Sequence, residues 1–409
     1  MNIAFLWDWP INEFTGGVGI VTKVLAKEMQ RRGWNVVFIA LVSDAEKQRN
    51  AKLLKSIGLS QESYDYLAPQ YFVDACQSLE HIVVEVSHIL DKNNMDVIMQ
   101  QDMNTLQMDV LGLLSNKYLK IINKHSQPFE AYRFTRKVFR GYVARSFSKK
   151  LWKYAVMTCP WIGRIRQKQI NEPLYRKAVQ SADRLCLLSS GFIGRLLHFM
   201  PDLDENKICF VNNPYTFECQ MQDGNQKENL VIMVCRLVES TKNVTDFMKA
   251  WQKIENSHPD WKAEVVGDGN DMDMLKNKCR KLGLKTLTFV GYHSDVTSFY
   301  KRAKIVCVTS WYEGWPMILL EGMISRCVPL VYDTYEAAKD IFDDGKSGFL
   351  IKSCKPQELA NKMENLMEHP KMLEEIGKAA SKKVMDFSPE EIVDKWEELF
   401  MKIKEEKHV

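Results

Sequence analysis

K-I-V-C-V-T-S-W-Y-E-G-W-P-M-I-L-L-E-G-M, residues 304–323, runs from an apolar β-branched segment through a turn into an apolar helix. I-V-C-V-T (305–309) is short and uncharged, the pattern of a strand buried on both faces of a parallel sheet. Pro316 favours a helix start, and a helix beginning there aims its first-turn amides, around Met317 and Ile318, beyond the carboxyl end of that strand. Glu321 projects from within the helix. Glu313, eight residues earlier, would lie about 80° away on a continuous helix of 3.6 residues per turn. The two carboxylates therefore converge only if Glu313 enters from the Gly314-containing loop. Carboxylates accept hydrogen bonds, so a ligand rich in vicinal hydroxyls suits them better than a bare phosphate compound. A capping acid beside a partly buried Glu is the structural alternative.

The same strand–turn–helix rhythm extends in both directions. Downstream of residue 230 it reads L-V-I-M-V (230–234), A-E-V-V (263–266), T-L-T-F-V (286–290), K-I-V-C-V (304–308) and V-P-L-V-Y (328–332). Upstream it reads I-A-F-L-W (3–7), V-V-F-I-A-L-V (36–42), D-V-I-M (96–99), L-K-I-I-N (119–123), R-L-C-L-L (184–188) and K-I-C-F-V (207–211), with helices over 18–32 and 74–91. Strands separated by helical crossovers give an α/β class with parallel sheets covered on both faces. A chain of 409 residues exceeds one ordinary core. The polar stretch 218–229 marks the break between two doubly wound, Rossmann-like domains, 1–215 and 216–387. Ser388-Pro389-Glu390-Glu391 opens a last helix, 388–409, with a Ser cap and acids toward the dipole; it is expected to pack back on the first domain. Ligands of such folds bind at the carboxyl ends of the strands, here in a cleft between the two sheets.

Composition narrows the function classes. A net charge of +4 announces no nucleic-acid partner. No apolar run approaches the roughly 18 residues of a membrane span. M-N-I-A-F-L-W-D-W has no basic leader and carries Asp8 in its apolar stretch, so it reads as a strand and not a signal peptide. Ten cysteines without a C-x-x-C pair indicate free thiols, a reducing cytoplasm and no structural zinc. Residues 131–168 stand apart: eleven basic residues, no acid, and interleaved aromatics. That is the composition of an interfacial segment on an anionic bilayer, with a solvated basic face as the alternative.

Further candidates sit at strand ends. Thr15-Gly16-Gly17-Val18-Gly19 links the first strand to the first helix, as a tight turn or as an anion-accepting helix start. Arg236 and Lys242, after 230–234, suit a diphosphate, with a surface ion pair to Glu239 as the alternative. His125 ends a strand of the first half and serves either structure or function. Asp271-Met272-Asp273 spells D-x-D, but acids at a helix start favour the dipole and need no metal.

With these residues in line, the sequence resembles a family 4, group 1 type glycosyltransferase of the GT-B fold, most strongly over 230–350. The resemblance rests on Thr15-Gly16-Gly17, His125-Ser126, Asn213-Pro214, Arg236 with Lys242-Asn243, Gly267-Asp268-Gly269, Phe289-Val290-Gly291, and Glu313-Gly314-x-Pro316 with Glu321-Gly322-Met323, whose two glutamates match the family's E-x7-E. It implies a nucleotide diphosphate sugar as donor and co-substrate, UDP- or GDP-linked, with no cofactor and no metal. Arg236 and Lys242 would bind the diphosphate, Glu321 the ribose, and Glu313 the sugar hydroxyls. The amides near Met317 and Ile318 would hold phosphate or sugar, and the base would lie near Tyr292. Gly16 and Gly17 would let a loop close over the phosphates, and His125 would contact the sugar near its reacting carbon. The resemblance also implies retention of anomeric configuration, by front-face attack in which the leaving phosphate takes the acceptor's proton.

The family often carries Gly-Gly and then Glu after the strand that follows the motif; here Thr334-Tyr335 stands there, with Asp340 near the place of that Glu. The expected function is transfer of a sugar to a glycan or lipid-linked acceptor in cell-surface polysaccharide biosynthesis. The expected location is the cytoplasm, peripheral on the inner face of the membrane. A non-catalytic nucleotide-sugar binder and a GT-B-fold sugar-nucleotide epimerase are the alternatives.

Overall fold

The computed structural model describes residues 1–9, 16–56, 68–130, 136, 138, 139, 142, 146–216, 227–352 and 354–407. The chain divides into two compact units. One comprises Met1–Pro128, Gln169–Thr216 and Phe387–Val409; the other comprises Phe129–Lys168 and Phe217–Asp386.

Seven parallel strands form the sheet of the first unit: β1 (Asn2–Trp7), β2 (Asn35–Val42), β3 (Gln70–Asp74), β4 (Val97–Gln101), β5 (Leu119–Asn123), β6 (Arg184–Leu187) and β7 (Ile208–Phe210). Their spatial order is β3-β2-β1-β4-β5-β6-β7, so the winding reverses between β1 and β4. Every residue of β4 and β5 is buried, the polar Gln100, Gln101, Lys120 and Asn123 included. The helix Pro389–Lys407 belongs to this unit. Ser388 Oγ accepts from the amide of Glu391 at 3.2 Å. The helix buries Ile392, Val393, Trp396, Phe400 and Ile403, and Phe400 lies 6.3 Å from the ring of Trp34. Lys407 pairs with Asp183 at 2.7 Å.

The second unit holds β8 (Leu230–Val234), β9 (Lys262–Val266), β10 (Leu287–Gly291), β11 (Ile305–Val308), β12 (Val328–Tyr332) and β13 (Phe349–Ile351), parallel, in the order β10-β9-β8-β11-β12-β13. Here the winding reverses between β8 and β11, which pair through Val231 with Ile305 and Ile232 with Val306. The helix Val244–Ile254 covers this sheet with Val244, Phe247, Met248, Trp251 and Ile254, all buried at helical spacing. Burial of each such side chain stabilises by roughly 2 kcal/mol.

The sequence expectation missed β3 and β13, and both are edges. β3, Q-Y-F-V-D, buries only Val73 fully, so its apolar signal is diluted. Asp74 closes that strand, and the helix expected over 74–91 starts at Leu79, where Ser78 Oγ accepts from the amide of His81. Of the expected linker 218–229, residues 218–226 lie outside the described residues, as does Thr15. Of 131–168 the described part contains the helix Phe147–Thr158 and the start of the helix Pro160–Ser181.

Candidate functional site

The reversal point of the second sheet carries most of the residues singled out above. β8 runs into Cys235-Arg236-Leu237-Val238 and then the short helix Glu239–Lys242. Backbone bonds lock that segment onto the loop after β9: Cys235 N to Val266 O at 3.0 Å, Leu237 N to Asp268 O at 2.9 Å, and Asp271 N to Leu237 O at 3.2 Å. Two glycines permit the approach. A Cβ on Gly267, whose φ is +130°, would stand 2.0 Å from Cys235 O, and one on Gly269 would stand 2.5 Å from Leu237 O. Arg236 is left exposed, and its guanidinium has no hydrogen bond or ion pair among the described residues.

Glu239 is not its partner. It is 7% exposed and turned inward, where its Oε2 accepts from the amide of Thr245 at 3.2 Å. Burial pushes the Glu239 carboxyl up, against the opposing Thr245 hydrogen bonds. Asp271, first acid of the D-x-D, is likewise engaged, accepting from the amide of Glu239 at 2.9 Å.

The loop after β11 is tied to the same place. Thr309 Oγ1 donates toward the carbonyls of Lys242 and Asn243, at 3.1 and 3.0 Å, and the amide of Trp311 donates to Thr241 O at 2.8 Å. Asn243, with φ 51° and ψ 45°, turns the chain between the two helices. The consequence is a contact between the two segments: Lys242 Nζ donates to Glu313 Oε1 at 2.5 Å, the two side chains being 21% and 13% exposed. Burial works against the Lys242 ammonium, but the Glu313 carboxylate outweighs it and holds the amine above the ordinary lysine range. Glu313 thus enters from the loop.

Pro316 caps the helix Met317–Ile324. Gly322 lets that helix lie on β11, since a Cβ there would meet Val306 Cγ1 at 2.8 Å. One residue before it, Glu321 is half-buried and accepts from the Tyr300 hydroxyl at 2.9 Å. Burial first, then the Glu321 carboxylate, hold the Tyr300 phenol well above its ordinary range, so it remains a donor at physiological pH. Gly314, Met317 and Ile318 are half-buried. Trp315, at 6% exposed, packs inside the loop. Tyr292, just past β10, is 75% exposed. Tyr335 is 1% exposed, and burial, then the nearby Glu313 charge, push its phenol well up.

In the first unit, Gly16 (φ +62°) and Gly17 open the helix Gly16–Arg31, are exposed, and have open space where a Cβ would be. His125, past the end of β5, is 9% exposed. Its Nε2 lies 2.6 Å from Gln101 Oε1 and 3.3 Å from Asn123 Nδ2, and Nδ1 has no partner among the described residues. Burial lowers its pKa to about 4, against the Asp102 carboxylate and aided by Lys124, so the ring is neutral.

Sequence reasoning missed three features. Tyr300 orients Glu321 from a separate helix, which no spacing rule reveals. Gln101 orients His125 from the neighbouring strand. A cavity of about 330 Å³ lies past the ends of β1 to β4, lined in part by Asp8, Trp9, Glu46, Asn104 and Gln107. Gln107 is fully buried there, and neither amide atom has a partner among the described residues.

Residues 218–383 match the family described as Glycosyl transferases group 1. Among curated relatives, the chain is 30% identical over 195 residues to the GalNAc-alpha-(1->4)-GalNAc-alpha-(1->3)-diNAcBac-PP-undecaprenol alpha-1,4-N-acetyl-D-galactosaminyltransferase of Campylobacter jejuni, over 47% of this chain and 54% of that one. It is 26% identical over 177 residues to the poly(ribitol-phosphate) alpha-N-acetylglucosaminyltransferase of Staphylococcus aureus, over 43% of this chain and 36% of that one. The chain thus spans about half the length of the first of these relatives and about a third of the second. Among solved structures, Anabaena Alr3699/HepE in complex with UDP superposes with a TM-score of 0.70 at 16% identity, covering 98% of this chain and 100% of that one. TarM superposes with a TM-score of 0.71 at 13% identity, covering 98% and 99%. At such identities the likeness is one of fold, and the fold is GT-B, with two parallel-sheet Rossmann-like units.

Proposed function

We propose that the protein is a retaining, metal-independent glycosyltransferase that moves a sugar from a UDP- or GDP-linked donor to a glycan or lipid-linked acceptor in surface-polysaccharide synthesis. The observation that carries this reading is the cluster at the β8/β11 reversal. An unpaired exposed guanidinium, an ammonium aimed by Glu313, a ribose-type acceptor in Glu321, and a helix start after Pro316 share one edge of one sheet. The group 1 match over 218–383 spans that whole cluster.

Arg236 offers its fork and Lys242 its point charge to the diphosphate. Glu321, which accepts from the Tyr300 hydroxyl, takes the ribose hydroxyls, and Glu313 takes those of the sugar. The Met317 and Ile318 amides complete the anion's surroundings, and Tyr292 and Gly314 border the base and sugar. In the step itself the bond from the anomeric carbon to the β-phosphate oxygen breaks. A bond to the acceptor oxygen forms on the same face, and the acceptor's proton passes to the departing phosphate. The protein's share is positioning and charge neutralisation. In the first unit, the neutral His125 ring has an Nδ1 nitrogen of the kind a sugar hydroxyl needs, and Gly16 and Gly17 form an open helix start of the kind a phosphate needs. The cavity at Gln107, with a Trp ring, two carboxylates and two amides, fits an uncharged hydroxyl-rich acceptor.

Incubation with UDP- and GDP-sugars and a lipid-linked or free glycan tests the proposal. Expected are release of nucleoside diphosphate matched by a newly α-linked product, and a loss of about a hundredfold or more in kcat/KM for Lys242→Met. An epimerised donor, or free sugar with no transfer product, would sink it.

A further inference from the structure

Of the thirteen large apolar side chains that stand out as exposed among the described residues, five fall between residues 147 and 165: Phe147 at 77%, Leu151 at 56%, Tyr154 at 71%, Trp161 at 59% and Ile165 at 47%. They are not scattered. Phe147, Leu151 and Tyr154 stand at i, i+4 and i+7 of the helix Phe147–Thr158, within an arc of about 60° on one face. Trp161 and Ile165 stand at i and i+4 of the helix Pro160–Ser181. Charge accompanies each stripe. Lys150 flanks the first, and Arg164 and Lys168, at i+3 and i+7 from Trp161, share the second; all three are exposed. Arg166 lies 4.7 Å over the Trp152 ring and fastens one helix to the other. The whole stretch 131–168 contains no acid.

We propose that the exposed faces of these two helices form a docking surface for an anionic lipid bilayer, with Phe147, Leu151, Tyr154, Trp161 and Ile165 entering the headgroup region and the lysines and arginines pairing with lipid phosphates. An exposed apolar stripe of this size is costly in water, and aromatic residues beside cations are the composition that settles at a membrane interface. A second copy of this chain is disfavoured as occupant, because two identical basic, acid-free faces would repel on meeting. No helix among the described residues is long and apolar enough to cross a membrane, so the surface lies on the bilayer. The inference stands on this surface alone and does not rest on the donor-site reading. If both hold, the acceptor is one that the bilayer itself displays.

Flotation of the full chain with vesicles of phosphatidylcholine alone, and with about a third phosphatidylglycerol, tests it at low and high salt. The protein should float with the anionic vesicles, fall at least about tenfold on neutral ones, and be released by salt. Lys150→Ala with Lys168→Ala should cut the anionic partition coefficient by roughly 25-fold, about fivefold per cation. Phe147→Ser with Trp161→Ser, both at exposed positions, should lose anionic binding while nucleoside-diphosphate binding by thermal shift stays unchanged. Equal recovery on both vesicle types, or either double variant floating like the parent, would overturn it. So would a concentration-dependent dimer abolished by Phe147→Ser, which would make the stripe a homotypic contact.

Discussion

At the scale of single residues, position in the chain and state in the fold diverge most at His125. A strand-end histidine invites a role in proton transfer, yet burial drops its pKa from 6.5 to about 4, with Asp102 opposing. Because the folded ring takes a proton less readily than the unfolded one, its contribution to stability is complete above pH 6.5. That contribution declines as the pH falls toward 4, by up to about 3 kcal/mol. Asp102 titrates below that window, since Lys124 at 2.6 Å overcomes its burial and holds the carboxyl below the usual range. His125→Gln, which keeps a hydrogen-bonding side chain beside Gln101, should therefore flatten the acid limb of the denaturant midpoint between pH 6.5 and 4. An unchanged limb would contradict the buried neutral ring. Lys242 shows the reverse sign: its amine is raised above 10.5, so its pairing with Glu313 persists through physiological pH and weakens only in strong base.

At the scale of elements, the loop bearing Arg236, after β8, is held by glycines that follow the next strand, β9. Gly267 combines a φ of +130° with a would-be Cβ 2.0 Å from a carbonyl oxygen, so neither strain nor contact can be relieved by a rotamer change. Gly267→Ala should cost about 3 kcal/mol or more in denaturant unfolding and weaken nucleotide binding with it. Gly17→Ala is the counter-experiment: with nothing within 4 Å, stability should hold or rise by up to about 1 kcal/mol. A large loss at Gly17, or none at Gly267, would refute this account. Most strands and helix starts were legible because their residues are uniformly apolar or carry local caps. β3 and β13 were not: Gln70 and Asp74 bound the first, which buries only Val73 fully, and the second is only three residues long. The alternative ion pair of Arg236 with Glu239 could not be judged from spacing alone: Glu239 faces inward because the short helix turns it toward the Thr245 amide.

At the scale of the whole molecule, two parallel sheets with reversals at β1/β4 and β8/β11 give each unit its own ligand edge. In the proposed transfer, neutralisation of the departing diphosphate would fall to Arg236 and Lys242, while Asp271 of the D-x-D is taken by the Glu239 amide. Transfer should then be unaffected by excess chelator; a loss that Mg²⁺ restores would show that cations of the chain do not suffice. The α/β class, the two doubly wound halves, and the positions of Arg236, Lys242, Glu313 and Glu321 just past strand ends were readable from the order of apolar runs and turn residues, because strand burial and helix initiation are local effects of composition. The Lys242–Glu313 contact, the Tyr300 hydroxyl on Glu321, the neutral His125 and the cavity at Gln107 emerged only on folding. Each joins residues from separate strands and helices, and burial and charge at such meetings depend on packing that no short window of sequence contains.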